Sequence, residues 1–255
     1  MALYLIGLGL SDEKDLSVKA LEAIKSCDII YLESYTSRLN VPTANLEKLY
    51  GKKIILADRD MVESQAEKTI LKDAKTKAVA FLVVGDIFSA TTHTDIWMRA
   101  KELGIKTTLI HGTGIFSGIS ETGLQPYKFG KTTSIPFATD KWKPETPYEI
   151  LKENKKTDSH TLILLDLSPK QDRFMTVNEA IKYLLEIEAK RGEKVFTDGT
   201  FCIGCARLGS DSPTIISGTA KNLLKADFGA PLHCLIVPGK LHFAEEKALS
   251  FWQKA

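Results

Sequence analysis

Over its first 125 residues the chain alternates short apolar runs with amphipathic stretches, and nothing else in it narrows the fold as much. Strand candidates at 3–9, 28–33, 53–57, 78–85 and 106–111 are separated by helical patterns. Leu16, Ala20, Leu21 and Ile24 mark the first helical face, and further helices are expected near 43–50, 62–77 and 91–103. Strands that alternate with helices imply βαβ units, right-handed crossovers and a parallel sheet.

The segment "SETGLQPYKFGK" (120–131), with two glycines and a proline, is the expected junction, giving α/β domains at 1–120 and 121–255. Beyond it, "TSIPFA" and "HTLILLDLS" read as strands around a proline-containing loop, "TDKWKPETP", and a helix near 147–156. Thr176 and Glu179 are spaced as a capping box at the head of a helix over 176–191. Strands at 195–206, 213–218 and 233–238 and a closing helix over 241–254 complete a mixed sheet with fewer covering helices. A length of 255 residues suits two such domains or one large α/β domain.

Composition removes several function classes. A net charge of +2 gives no ground for a nucleic-acid surface. No run approaches the roughly 18 apolar residues of a membrane span, and the apolar start lacks a basic flank and a cleavage site, so a cytoplasmic protein is expected. Cys202 and Cys205 form a single CxxC without a second pair at zinc spacing; on a strand they point to opposite faces, which favours buried thiols over a metal or redox site. There is no P-loop and no nucleophile elbow, Ser117 in "GIFSGIS" lacking the required spacing.

Gly7 and Gly9, in "LIGLGLSD", invite a dinucleotide reading, and Glu33 ends the second strand where a ribose-binding acid would fall. The third glycine of that fingerprint is replaced by Asp12, whose carboxylate would oppose a pyrophosphate; Asp12 and Asp15 suit the first turn of a helix instead. What remains is a set of strand ends: Gly9-Leu10, Gly85-Asp86 in "LVVGDIFSATTH", and "HGTGIF" (111–116). In open parallel sheets ligands bind beyond the carboxyl ends of strands, and glycines allow close backbone approach. One acid among glycines suits a small ligand with hydroxyls and an amine. Taken singly, each segment reads equally as a tight turn with Ser89, Thr91 or Thr92 as a helix cap.

Together, "GLGLSDEKDLSVKALEAIKSCDIIYLESYTS", "GDIFSATTH", "YKFGK", "HTLILLDL", "MTVNEA" and "DFGAPLHCLIVPGKLH" resemble the diphthine synthase family, of the superfamily that also holds the tetrapyrrole methylases. The resemblance spans the chain in order and spacing. It implies two α/β domains, an N-terminal parallel sheet and a C-terminal mixed one, with S-adenosylmethionine bound in a cleft between them. Position by position it implies cofactor contacts from Leu10, Asp86, Ile115, Leu165 and His233, with Ser89, Gly114 and Leu208 at positions of variable side chain. Two departures stand out: Ile87 replaces the family's usual proline, and Gly114 replaces a serine.

The resemblance also implies a homodimer and a protein substrate, elongation factor 2, whose 3-amino-3-carboxypropyl-histidine is methylated on its amine. An α-amino group with a pKa near 8 is about a tenth neutral at pH 7, so deprotonation costs only roughly 1.4 kcal/mol. Holding amine and methyl in line contributes about 7 kcal/mol or more. Catalysis by proximity, without an essential acid–base residue, is therefore expected. Trp142 and its flanking lysines read as a solvated loop or a substrate contact, and His93 as a residue beneath the loop. A tetrapyrrole methylase, a ribosomal-RNA methylase and a non-enzymatic binding module are the competing readings.

Overall fold

The alternating first part of the chain folds as five parallel strands crossed by helices in a computed structural model, which describes residues 1–139 and 142–255. In chain order these are β1 (Ala2–Gly7), α1 (Val18–Ser26), β2 (Ile29–Glu33), α2 (Thr43–Tyr50), β3 (Ile54–Ala57), α3 (Ile70–Ala74), β4 (Ala78–Val83), α4 (Thr94–Glu102), β5 (Thr107–Ile110) and α5 (Ile115–Gly118). The sheet order is β3-β2-β4-β1-β5. Along β4 and on to Val84, Val79, Phe81 and Val83 enter one core while Ala80, Leu82 and Val84 enter the other. That two-residue alternation, apolar on both faces, is why the strand reads as one continuous apolar run.

Met1–Gly118 forms one compact unit and Ile119–Ala255 a second. The second contains β6 (Thr133–Ile135), α6 (Thr146–Lys156), β7 (Thr161–Leu165), β8 (Leu167–Ser168), β9 (Arg173–Phe174), α7 (Val177–Arg191), β10 (Phe201–Ala206), β11 (Thr214–Thr219), α8 (Ala220–Leu223), β12 (His233–Val237), α9 (Phe243–Leu249) and β13 (Gln253–Lys254). Its main sheet runs β13-β11-β10-β12-β7-β6 and is mixed: the central pairs are antiparallel, and β6 and β13 pair parallel with β7 and β11. The expected capping box opens α7, with Thr176 and Glu179 bonding reciprocally. Among the described residues no helix is long and apolar enough to cross a membrane.

Three expected elements are shorter than the sequence pattern implies. The helix expected over 62–77 is a π-turn at Asp60–Ser64, a 3-10 turn at Ala66–Lys68 and then α3. Thr69 breaks it, with φ −124° and ψ −98° and its hydroxyl donating back to the Gln65 carbonyl at 2.8 Å. The strand expected from 195 starts only at Phe201, because Thr197–Thr200 form a turn in which the Thr197 N–H donates to the Thr200 hydroxyl at 2.8 Å. The last helix stops at Leu249, where the Ser250 hydroxyl donates to the Lys247 carbonyl at 2.7 Å.

Two segments that carried the resemblance, "YKFGK" and "PGKLH", meet around a fully buried carboxylate, Glu245. Its Oε1 accepts from the Gln125 N–H at 2.9 Å and lies 3.0 Å from His160 Nε2. Its Oε2 accepts from the His242 N–H at 2.7 Å and from the Lys128 ammonium. His160 is itself fully buried; its Nδ1 accepts from the Gly239 N–H at 3.0 Å, which leaves Nε2 as the donor to Glu245. Burial pushes the Glu245 carboxyl up, but Lys128, the two backbone N–H groups and His160 outweigh it and bring its pKa down to about 2.

Candidate functional site

The ends of β1, β4 and β5 converge through their glycines. Gly9 and Gly85 form an antiparallel bridge, the Gly85 N–H donating to the Gly9 carbonyl at 2.7 Å and the return bond measuring 3.2 Å. Both have positive φ, +89° and +81°, a conformation that side-chain-bearing residues adopt only under strain. A Cβ on Gly7 would lie 2.6 Å from both the Gly112 nitrogen and the Gly85 carbonyl oxygen. Glycine is what lets these three strand ends touch.

Into this junction Asp86 projects its carboxylate. Its Oδ1 accepts from the Ser89 hydroxyl at 3.2 Å and from the Phe88 N–H at 3.3 Å. Its Oδ2 lies 2.8 Å from His111 Nδ1 and accepts from the Gly112 N–H at 3.2 Å. Partial burial raises the Asp86 pKa, but the bond from His111 and those from the backbone prevail and hold it below the ordinary aspartate value. Gly114 belongs to the same cluster, since a Cβ there would stand 3.1 Å from the Asp86 Cβ and 3.4 Å from the Ser89 Cβ. Ile115 follows it as the first residue of α5.

Leu10 lies beyond the Gly9 bridge, in a loop that rules out the dinucleotide geometry. The N–H groups of Leu10 and Ser11 donate to Asp15 Oδ2 at 3.1 and 2.6 Å, so the donors a diphosphate would need are already occupied by a carboxylate. Asp12 and Asp15 do not sit in a helix's first turn, as expected; α1 starts only at Val18, capped by Ser17. Glu33 likewise turns back on its own loop, accepting from the N–H groups of Tyr35 and Thr36 and from the Thr36 hydroxyl.

Leu165, Leu208 and His233 lie in the second unit, at one end of its sheet. Leu165 closes β7, His233 opens β12 opposite Ala206, and Leu208 follows β10 by two residues. His233 is largely satisfied by backbone: its Nε2 lies 3.2 Å from the carbonyls of both Gly229 and Ala230, and its Nδ1 accepts from the Val177 N–H at 3.4 Å. Burial, the dominant effect, lowers its pKa.

Ile87, where the resembling family has proline, is fully buried and packs into the core of the first unit. His93 is 1% exposed immediately before α4, edge-on to Phe81 and Tyr35, and burial lowers its pKa to about 4. Trp142 is half exposed and pairs through its backbone with Thr139. Of its flanking lysines, Lys143 is engaged by Glu186 and lies over the Tyr183 ring at 4.6 Å; Lys141 lies outside the described residues. All four cysteines are free and buried. Cys202 faces the main core of its unit, while Cys205 pairs across the sheet with Cys234. Among the described residues no three His, Cys, Asp or Glu side chains group as metal ligands.

His111 is the residue that sequence reasoning passed over. Its signal was present: a histidine ending one strand and an acid ending another, both beside glycines. Only the order β4-β1-β5, which sets those ends on either side of β1, turns them into neighbours.

The chain's pattern matches that of the tetrapyrrole (corrin/porphyrin) methylases over residues 2–224. It is 47% identical to a probable diphthine methyl ester synthase of Arabidopsis thaliana over 98% of both chains. It is also 47% identical to a diphthine synthase of Methanococcus maripaludis, again over 98% of both. A crystal structure of a diphthine synthase superposes with a TM-score of 0.91 at 36% identity, covering 100% of this chain and 97% of that one.

Proposed function

The chain belongs to the tetrapyrrole methylase family and, within it, to the diphthine synthases, which are methyltransferases; on that premise we propose that it methylates elongation factor 2 with S-adenosylmethionine as donor. The acceptor is the amine of the 3-amino-3-carboxypropyl-histidine on that factor. The observation that carries the donor assignment is the junction of three glycine strand ends around the carboxylate of Asp86. Backbone can approach a ligand closely there, and the ionised carboxylate, fixed by its four donors, places a negative charge that favours a cationic ligand. With Asp15 occupying the Leu10 and Ser11 N–H groups, the loop suits a donor without phosphates.

When bound, S-adenosylmethionine supplies the sulfonium methyl that the amine displaces in line. The chain's part is to hold that alignment, with Asp86, Ser89, Gly114 and Ile115 around the β4 and β5 ends and Leu10 beyond β1. Leu165, Leu208 and His233 are further proposed contacts, on the resemblance. A cytoplasmic homodimer belongs to the same proposal. So does a further methyl on the substrate carboxylate, favoured by the identity to a relative named as a methyl ester synthase.

The test is transfer from labelled S-adenosylmethionine to purified elongation factor 2 carrying the aminocarboxypropyl-histidine, with unmodified factor as control. Label on the modified factor alone supports donor and acceptor together. The mass gained counts the methyls, and one lost in mild base marks an ester. Binding of the donor without transfer to either factor overturns the acceptor assignment.

A further inference from the structure

The contact between Asp86 and His111 has the form of a proton-accepting dyad. The two residues follow β4 and β5, the strands that flank β1, so their 2.8 Å contact bridges the glycine end of β1. Bonds from the Ser89 hydroxyl and the Phe88 and Gly112 N–H groups fix the carboxylate in place. An ionised carboxylate beside Nδ1 selects the tautomer with hydrogen on that nitrogen and leaves the lone pair on Nε2. The His111 side chain is 66% exposed, and among the described residues its Nε2 makes no hydrogen bond. Asp86 is the charged group bonded to the ring.

We infer that His111 is a catalytic residue whose Nε2 accepts the proton that the acceptor ammonium loses before each N-methylation, with Asp86 orienting the ring and stabilising the imidazolium. The inference rests on the proposed function above. The R–NH3+ group gives its proton to Nε2 and becomes R–NH2. The amine lone pair then forms the N–CH3 bond as the S–CH3 bond breaks, S-adenosylhomocysteine leaves, and the exposed imidazolium returns its proton to water. Each N-methylation requires one such proton removal, up to the quaternary ammonium. Methylation of a carboxylate oxygen requires none.

The size of the effect is bounded. An α-amino group is about a tenth neutral at pH 7, so a proton acceptor in the site gains at most roughly tenfold there, and nothing once the bulk amine is neutral. The experiment compares the wild-type chain with His111→Gln between pH 6.5 and 9.5, at saturating donor and modified factor, with donor affinity measured by calorimetry. His111→Gln is expected to be about tenfold slower at pH 7 and within twofold of wild type at pH 9.5, with donor affinity unchanged. Imidazole in the buffer should restore much of the rate of His111→Ala. A deficit of equal size at every pH, or none at pH 7, overturns the inference while leaving the proposed function standing. Absence of transfer by the wild-type chain overturns both.

Discussion

Glu245 in the second unit and Asp86 in the first are both carboxylates ringed by four donors; Asp86 belongs to a segment that carried the resemblance, and Glu245 is held by residues of three others. They differ in what surrounds the ring of donors. Glu245 is sealed: it and His160 are fully buried, and besides holding Glu245 both Lys128 and His160 are tied to the backbone of Gly239 and Lys240. Asp86 sits among glycines, and its histidine partner presents a free face to solvent. Similar sequence signals thus mark a structural tie in one unit and a candidate site in the other. Burial of the partners, rather than the strength of the motif, separates the two roles.

Glu245→Ala is the sharpest way to break that contrast. It leaves the Lys128 ammonium and the buried His160 without their common partner, which typically costs about 3–5 kcal/mol. Hydrogen exchange should show β12 and α9 losing protection, while the amides of β1 and β4 in the first unit stay protected. Protection that falls equally in the two units would mean that Glu245 is no local tie.

Acid should reach the same tie without a mutation. The folded pKa of Glu245, about 2, lies below that of the unfolded chain, so its stabilisation is complete above about pH 5 and is lost as pH falls towards 2. A loss of about 3 kcal/mol across that window follows from linkage. Chemical denaturation followed at several pH values checks it, and Glu245→Gln should flatten the dependence.

The fold was legible because the alternation of apolar runs is a periodic signal, and periodicity survives without tertiary information. The breaks were less legible. Thr69 ends a helical pattern through a side-chain bond to Gln65 that no hydrophobic period reveals. The candidate site was legible only as a set of strand ends, since Gly85, Asp86 and Gly114 lie on short recognisable stretches. Its pairings were not, because Asp86 and His111 are 25 residues apart and meet only through strand order. Asp15 shows the same limit: a helix-start acid by pattern, it serves as an internal substitute for an anion because α1 begins two residues later than Leu16 suggested.

On the open side of the comparison, Gly7→Ala should act on binding as well as stability. Its methyl would press on the Gly112 nitrogen and the Gly85 carbonyl, both backbone, so the strand ends must separate. Overpacking of this kind costs about 1–3 kcal/mol. Calorimetry with S-adenosylmethionine should show at least a tenfold weaker Kd, about 1.4 kcal/mol. An unchanged Kd with lowered stability would move the donor away from these strand ends.

Gly114→Ser is the smallest change and tests how finely the junction is fitted. The added Cβ would stand 3.1 Å from the Asp86 Cβ and 3.2 Å from the Asp86 nitrogen, so its neighbours must yield by a few tenths of an ångström. Against that crowding, a hydroxyl among the Asp86 and Ser89 oxygens offers one hydrogen bond, worth about 0.5–1.5 kcal/mol net. The two effects oppose each other at similar size, so the donor Kd is expected to stay within about threefold of wild type. Tighter binding beyond that range would show that glycine at 114 sacrifices a contact the loop can accommodate. Weaker binding beyond it would show that the loop in this chain has closed around Asp86 and depends on having no side chain there.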